Sequence, residues 1–507
     1  MKKKIELWAY CAILSAVNLV CFNIPFLSYA WNHAEKWIIV PVLVLLLLLL
    51  NFFACYLASF LLRRAGRVLV AVCHFLSTVC VYYIFAYQTM MDESMIANFF
   101  NTRPEEAGPF ITLPFVLCGL VIGLLPSIWI VGAKVNYGSW KRFGKSVGIS
   151  LGAALLLILV NLNQTLWIGE HDTELGGLTM PWSYLVNTAR HFNHQKADNR
   201  EEILLPDATF ANDEKRAVVL VIGESARSAN CSLYGYERET NPRLARRPDL
   251  HVLNAQSCAT YTTASVKAIL EDRESSELYE ILPNYLYRMG ADVQWRTTNW
   301  GEPPVKTPYY KRADLASKPA AEADKYDAVL LNGLRDAIDG SSCSKVLVVL
   351  HTSTSHGPGY CHKYPAEFEH YTPVCDNVED AAKNPQALIN AYDNTLLYTD
   401  WLLDALIDTL QTITDRSCAM FYISDHGESL GENNLYMHGV PIKVAPREQY
   451  EIPCFVWVSE GYRPVGRPAG IDQHWVFHSV LDLLDVDSPV YRPDRDLFAP
   501  QAANLPE

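Results

Sequence analysis

The sequence predicts an N-terminal transmembrane domain of five helices followed by an α/β domain. Three observations carry that reading. Five charge-free stretches precede residue 170, short apolar β-rich runs alternate with helical patterns after residue 212, and net charge changes sign between the two regions.

The charge-free stretches run from Leu7 to Ala34, Trp37 to Leu62, Val68 to Met91, Ala107 to Ala133 and Ser146 to Gly169. Each exceeds the roughly 20 residues that a helix needs to cross the hydrocarbon core. Within the second, VLVLLLLLLNFF is apolar on every face, which no ordinary surface helix is. Lysine and arginine orient the helices. Lys2, Lys3 and Lys4 precede the first stretch, Arg63, Arg64 and Arg67 follow the second, and Lys134, Lys141, Arg142 and Lys145 follow the fourth. Loops 29–36 and 92–106 hold one basic residue each, Lys36 and Arg103. Positive charge stays on the cytoplasmic side, so the N-terminus is expected inside and everything after Gly169 outside. No convincing small-residue cleavage site precedes the second stretch, which speaks against a removable signal peptide.

Residues 1–169 form the transmembrane domain in this reading, with twelve Lys+Arg against six Asp+Glu. That balance of +6 within a chain total of −13 leaves −19 for residues 170–507. Nucleic acid is excluded as a partner, because phosphate binding needs clustered positive charge. A transporter or receptor would need ionisable groups within the spans, and the five stretches hold no Asp, Glu, Lys or Arg. Seven of the 13 cysteines lie in the outer portion, where disulfides can form; Cys361 and Cys375 flank a short loop and are the best candidate pair.

Residues 170–212 read as a bridging helix and linker. TMPWSYLVNTARHF is amphipathic, with Trp182 and Tyr184 suited to an interface, and polar NHQKADNREE follows. Residues 213–507 read as the catalytic α/β domain. AVVLVIG (217–223), AVLLNGL (328–334), KVLVVLH (345–351) and AMFYISD (419–425) are apolar on both faces, as buried parallel strands are. Helical patterns such as NPQALINAYDNTLLYTDWLLDALIDTLQ separate them, which implies a sheet covered on both sides.

Ligands of open α/β sheets collect at the carboxyl ends of strands. Three of these runs end in metal-ligating types: Glu224 after the first, His351 and His356 at the third, Asp425 and His426 at the fourth. A single Asp-His pair also occurs in solvated loops; three strand ends converging on carboxylates and imidazoles point to a metal site. Such nitrogen and oxygen donors suit Zn²⁺, with Mn²⁺ as the other admissible ion. A nucleophile would come from SCATYTTASV (257–266), where Thr260, Thr262, Thr263 and Ser265 stand ahead of a helix start. An anion can sit on the backbone N–H groups there, and a metal can activate the hydroxyl. The same cluster would also serve as an ordinary N-cap, and spacing alone does not choose among the four.

The order GESARSANCSLYGYERETNPRL, SCATYTTASV, HTSTSHGPGY, LINAYDNTLLYTD and SDHGESLGENNLYMHGVP resembles the lipopolysaccharide phosphoethanolamine transferases over nearly the whole chain. These are inner-membrane enzymes with a periplasmic domain of the alkaline phosphatase and sulfatase fold. The resemblance implies a multi-pass protein of the bacterial inner membrane whose catalytic domain lies in the periplasm, acting as a monomer. It implies zinc held by Glu224, Thr262, Asp425 and His426, with Thr262 as the nucleophile that carries phosphoethanolamine. His356 and His438 would bind the phosphoryl group or a second zinc. Phosphatidylethanolamine would be the donor and lipopolysaccharide the acceptor. Asn98, Thr102 and Glu106, four apart, would share a helix face at the donor headgroup. Lys306, in WRTTNWGEPPVK, would be a phosphate contact.

One departure bears on the acceptor. Family members acting on lipid A pair the cysteine before the nucleophile with one about ten residues on; here that position is Ala268. Core heptose or another periplasmic glycan is therefore as open as a lipid A phosphate. A sulfatase would need a Cys or Ser in a C-x-P-x-R-like context, which residues 258–268 lack. A glycerol-phosphate transferase of the lipoteichoic acid type, with the same fold and a Thr nucleophile, is the nearest rival.

Overall fold

In a computed structural model of the chain, residues 4–34, 36–87, 89–101, 110–161, 167–168, 171–198, 202–357, 359–375, 384–432, 435–466 and 468–499 are described. The chain divides into two units, Met1–Gln195 and Lys196–Glu507.

Unit 1 is helical: α1 (Leu7–Phe22), α2 (Ile24–His33), α3 (Ile39–Leu62), α4 (Arg64–Tyr87), α5 (Glu93–Asn101), α6 (Leu113–Gly132) and α7 (Trp140–Val160). Four of these, α3, α4, α6 and α7, are long and apolar enough to cross a membrane. The stretch Leu7–Ala34 departs from a single straight span: α1 and α2 meet at a bend of 65°. Pro25 explains the break, because its ring clashes with the carbonyl one turn earlier and it donates no hydrogen bond. Four helices are thus long and apolar enough to cross a membrane, or five if the bent pair counts as one span. The polar groups at the bend are satisfied internally. Asn23 Nδ2 donates to Asn18 Oδ1 at 2.8 Å and to the Met180 carbonyl at 3.1 Å, and Asn51 Nδ2 also donates to Asn18 Oδ1 at 2.7 Å. In apolar surroundings each unmet group would be costly. The helices α8 (Asp172–Leu178) and α9 (Trp182–Asp198) follow, with Trp182 Nε1 donating to Asn51 Oδ1 at 2.8 Å and the Tyr184 hydroxyl to the Cys73 carbonyl at 2.9 Å.

Unit 2 is built on an eight-stranded sheet. In chain order its strands are β1 (Arg216–Gly223), β2 (Leu250–Gln256), β3 (Asp292–Thr297), β4 (Tyr309–Lys311), β5 (Lys345–His351), β6 (Ser417–Ser424), β7 (Glu451–Val458) and β8 (Ile471–Asp472). They lie side by side as β8-β2-β7-β6-β1-β5-β3-β4. The block β6-β1-β5-β3-β4 is parallel, and β7 runs antiparallel to both β6 and β2. Alternate side chains of β1 enter opposite cores, as the two-residue period of a strand requires. Val218, Leu220 and Ile222 pack with Val266, Ile269 and Leu270 of α10 (Thr262–Leu270). Ala217, Val219 and Val221 pack with Leu403, Leu406 and Ile407 of α11 (Pro385–Gln411). With both faces covered, parallel strands carry apolar residues at every position.

AVLLNGL does not form the strand its composition predicts. Asp327–Leu331 is a 3₁₀ turn and Leu334–Asp339 a short helix, separated by Gly333 in the left-handed region at φ 61°. Val329, Leu330, Leu334 and Ile338 are buried against β1 and β5, so the apolar run reports a core position and no ladder. Cys361 and Cys375 pack against one cluster with Tyr360, Leu388 and Tyr392.

Candidate active site

β1 and β6 are parallel neighbours in a register that sets Gly223 opposite Ser424. The next residues, Glu224 and Asp425, therefore leave the sheet side by side at its carboxyl edge. The Asp425 N–H donates to the Gly223 carbonyl at 2.9 Å, which joins the two strand ends. Gly223 has to be glycine here: a Cβ would stand 2.4 Å from the Tyr422 hydroxyl. Glu224, Asp425 and His426 are all buried, and one ligand atom from each lies within 4.8 Å of the others. No other group of three or more His, Cys, Asp or Glu among the described residues could hold a metal in this way.

The hydrogen bonds around this cluster fix each donor atom. His426 Nδ1–H donates to the Gly427 carbonyl at 2.9 Å, which leaves Nε2 as the ring nitrogen that faces the carboxylates. Nε2 stands 3.7 Å from Glu224 Oε1 and 3.4 Å from Asp425 Oδ2. Asp425 Oδ1 accepts the Ser225 and His426 N–H groups at 3.0 and 2.7 Å, whereas Oδ2 is buried with no hydrogen-bond donor. Ser225 holds φ 50°, a left-handed value uncommon for serine, and its hydroxyl donates to Glu224 Oε1 at 2.6 Å. Asn299, just after β3, donates to Glu224 Oε2 at 2.6 Å.

Two buried carboxylates this close cannot ionise independently. Burial and the Glu224 charge push Asp425 up to about 7. Burial opposes ionisation of Glu224 too, but His356, His426 and His438 outweigh it and hold Glu224 low. A divalent cation fits this arrangement: an imidazole nitrogen, an undonated buried carboxylate oxygen and a second carboxylate meet at one point.

Thr262 opens α10, which has no side-chain cap hydrogen bond, so its first N–H groups are available to an anion. Its hydroxyl lies 3.4 Å from His426 Nε2. The neighbouring hydroxyls are placed differently. Thr260 donates to the Val440 carbonyl at 2.6 Å and Ser265 to the Ala259 carbonyl at 3.1 Å, while the Thr263 methyl packs on Gly301. Gly301 has φ +94°, and a Cβ on it would sit 3.3 Å from Thr262 Cγ2, so the loop carrying Asn299 also closes over Thr262.

The His426 and His438 rings are 4.2 Å apart by centroid, and His356 meets His438 edge-on at 5.7 Å. His438 Nδ1 is 3.3 Å from Glu428 Oε2. Burial raises the Glu428 carboxyl to about 8 against the pull of His426 and His356, and burial together with His426 lowers His438 to about 3. Near neutral pH a neutral acid therefore faces a neutral imidazole, and Glu428 can donate to His438 Nδ1. Three imidazoles, Thr262 and a helix N-terminus thus adjoin the acidic cluster.

His351 ends β5 but stays out of the cluster, with Nδ1 3.4 Å from Glu302 Oε2. Lys306 is committed to an ion pair with Glu202. Asn98 is half-buried in α5, whereas Thr102 and Glu106 lie outside the described residues. Asn299, Glu428 and Ser225 escaped the sequence reading. Asn299 follows a strand end as Glu224 does, and Glu428 lies two residues beyond His426, so both carried a positional signal.

Comparison with known proteins agrees with this geometry. Two family profiles match: Phosphoethanolamine transferase EptA/EptB over residues 47–196 and Sulfatase over residues 216–486. The phosphoethanolamine transferase EptA of Helicobacter pylori is 37% identical over 503 residues, spanning 96% of this chain and 95% of that protein. This chain belongs to the phosphoethanolamine transferase family. The phosphatidylethanolamine transferase Mcr-1 of Escherichia coli is 30% identical over 83% of this chain and 84% of its own length. The integral membrane protein lipooligosaccharide phosphoethanolamine transferase A of Neisseria meningitidis superposes with TM-score 0.88 at 26% identity, covering 98% of this chain and 99% of that one. The phosphoethanolamine transferase fold thus extends over both units: a multi-pass membrane part and a sulfatase-type soluble domain.

Proposed function

We propose that this chain transfers phosphoethanolamine from phosphatidylethanolamine to lipopolysaccharide, at a lipid A phosphate or a core heptose, with Thr262 as the nucleophile. The observation that carries the reading is the Thr262 hydroxyl at 3.4 Å from His426 Nε2, beside Glu224 and Asp425 and at the start of α10. The relatives, among them a phosphatidylethanolamine transferase and a lipooligosaccharide phosphoethanolamine transferase, support the donor and the acceptor class.

Glu224, Asp425, His426 and Thr262 would hold Zn²⁺, with Mn²⁺ as the alternative. When bound, such an ion lowers the pKa of a coordinated hydroxyl and offsets phosphoryl charge. Thr262 Oγ then attacks phosphorus, the bond from phosphorus to the diacylglycerol oxygen breaks, and a threonine phosphodiester remains. The α10 N–H groups hold the phosphoryl oxygens. His356 and His438 donate to the same oxygens, and His356 passes the hydroxyl proton to the departing diacylglycerol. An acceptor oxygen repeats the displacement and frees Thr262.

The membrane reading is completed in the same proposal. The bent pair α1–α2 serves as the first of five spans, the protein lies in the inner membrane as a monomer, and residues from 213 on face the periplasm. Asn98, Thr102 and Glu106 receive the donor headgroup. Mass analysis of lipopolysaccharide from cells with and without the chain tests the function. A gain of one phosphoethanolamine per molecule is expected, and fragmentation locates it. Unchanged lipopolysaccharide in cells that express the folded protein would refute the acceptor class.

A further inference from the structure

Asp327 lies outside the metal-ligating cluster but touches the loops on two sides of it. It begins the 3₁₀ turn Asp327–Leu331 and is 2% exposed. Its carboxylate accepts four hydrogen bonds. On Oδ1 the donors are the Thr298 hydroxyl and, at 3.3 Å, the Ser353 hydroxyl. On Oδ2 they are the Ser353 N–H at 2.9 Å and the Thr354 hydroxyl. All four come from two loops, and none is a cation.

Each loop supplies a group to the site. Thr298 precedes Asn299, whose amide donates to Glu224 Oε2 at 2.6 Å and to the Thr352 carbonyl at 2.8 Å. Ser353 and Thr354 lead into His356, whose N–H donates to the Ser353 carbonyl at 3.4 Å. If this position only filled the core, an apolar side chain would do so without desolvating a charge. A buried carboxylate that ties two strand-end loops together does something an apolar residue does not: it fixes their spacing. We infer that Asp327 is a positioning residue, clamping residues 298–299 to residues 353–354 so that Asn299 on Glu224 and His356 keep their places about Thr262.

The catalytic half of this inference rests on the phosphoryl-transfer reading above; the clamp itself does not. The test uses the full chain in detergent with phosphatidylethanolamine as donor, and compares Asp327→Asn, Thr354→Val and Asp400→Asn. Asp400 is an equally buried carboxylate that caps the N–H groups of Arg243 and Leu244 at 2.9 and 3.0 Å, and serves as the control. Asp327→Asn keeps the shape but sets an amide against donors. It should lower kcat about tenfold or more at nearly unchanged KM, since small misplacements of catalytic groups are costly. Backbone amides of segments 298–302 and 352–356 should both exchange faster, with α11 unaffected. Thr354→Val, which frees one loop, should speed exchange in 352–356 alone and cost less kcat. Wild-type kcat and exchange in Asp327→Asn would overturn the clamp, as would an activity loss that only tracks the unfolded fraction, as expected for Asp400→Asn. If the wild-type chain transfers no phosphoethanolamine, the functional reading fails, and amide exchange alone decides the clamp.

Discussion

The Asn299 amide and the Glu224 carboxylate are joined by a hydrogen bond of 2.6 Å, and the Ser225 hydroxyl takes the other oxygen at the same length. Glu224 is therefore held at both oxygens by neutral donors. Outer partners of this kind orient a ligand and tune its basicity. Asn299→Ala should weaken metal binding by about 10–100-fold, read by competition with a chromophoric chelator, with the fold retained. An affinity equal to wild type would show that Asn299 does not support the metal ligand.

Buried carboxylates should leave a mark on stability against pH. Burial, ahead of other causes, raises Asp400 to about 7, while the N–H groups of Leu244 and Arg243 pull it down. Unfolded, the same group titrates near 4. The folded value is the higher one, so its stabilisation is complete below about pH 4 and is lost as pH rises towards about 7. Asp400→Asn, which removes one acceptor, should cost about 1–3 kcal/mol in acid. The difference in melting temperature from wild type should then shrink as pH rises. A constant difference would mean that Asp400 does not titrate in this range.

What the sequence disclosed follows from burial. β1, β5 and β6 have both faces covered, so their residues are apolar throughout and the strand ends carrying Glu224, His351 and Asp425–His426 could be located. β3 reads DVQWRT and β2 reads LHVLNAQ, mixed patterns of strands towards the sheet edges that look like loop sequence. Asn299 was missed because the strand it terminates was missed. AVLLNGL misled in the opposite sense, since an apolar run reports burial and not backbone conformation. Thr262 could not be separated from Thr260, Thr263 and Ser265 by spacing. Thr260 and Ser265 donate to backbone carbonyls and Thr262 stands beside His426, a distinction that arises only in the folded chain.

Orientation in the membrane is open to a direct check. Lys and Arg crowd loops 63–67 and 134–145, whereas Lys36 and Arg103 are alone in theirs. The positive-inside rule then sends the C-terminal unit across the membrane. A C-terminal fusion to a reporter that is active only in the cytoplasm should stay dark, and one active only in the periplasm should give signal. The reverse pattern would overturn either the count of five spans or the inward N-terminus.

The nucleophile is the most exposed part of the proposal. Thr262 is the hydroxyl nearest His426 Nε2, at 3.4 Å, and Thr260 and Ser265 give their protons to backbone carbonyls. Thr262→Ala should abolish transfer, because no other hydroxyl has this placement. Glu224, Asp425 and His426 remain in that variant, so metal content by elemental analysis should stay close to wild type. Thr262→Ser should keep part of the activity: the hydroxyl survives, but the lost methyl no longer packs against Gly301 and its rotamer is less restricted. The decisive measurement is the intact mass of the protein after exposure to phosphatidylethanolamine without acceptor. One phosphoethanolamine on Thr262 is the expected adduct, and adding lipopolysaccharide should discharge it. An adduct on Thr263 instead, or full activity in Thr262→Ala, would move the nucleophile to another hydroxyl of the same turn and leave the acidic cluster as a metal site serving it.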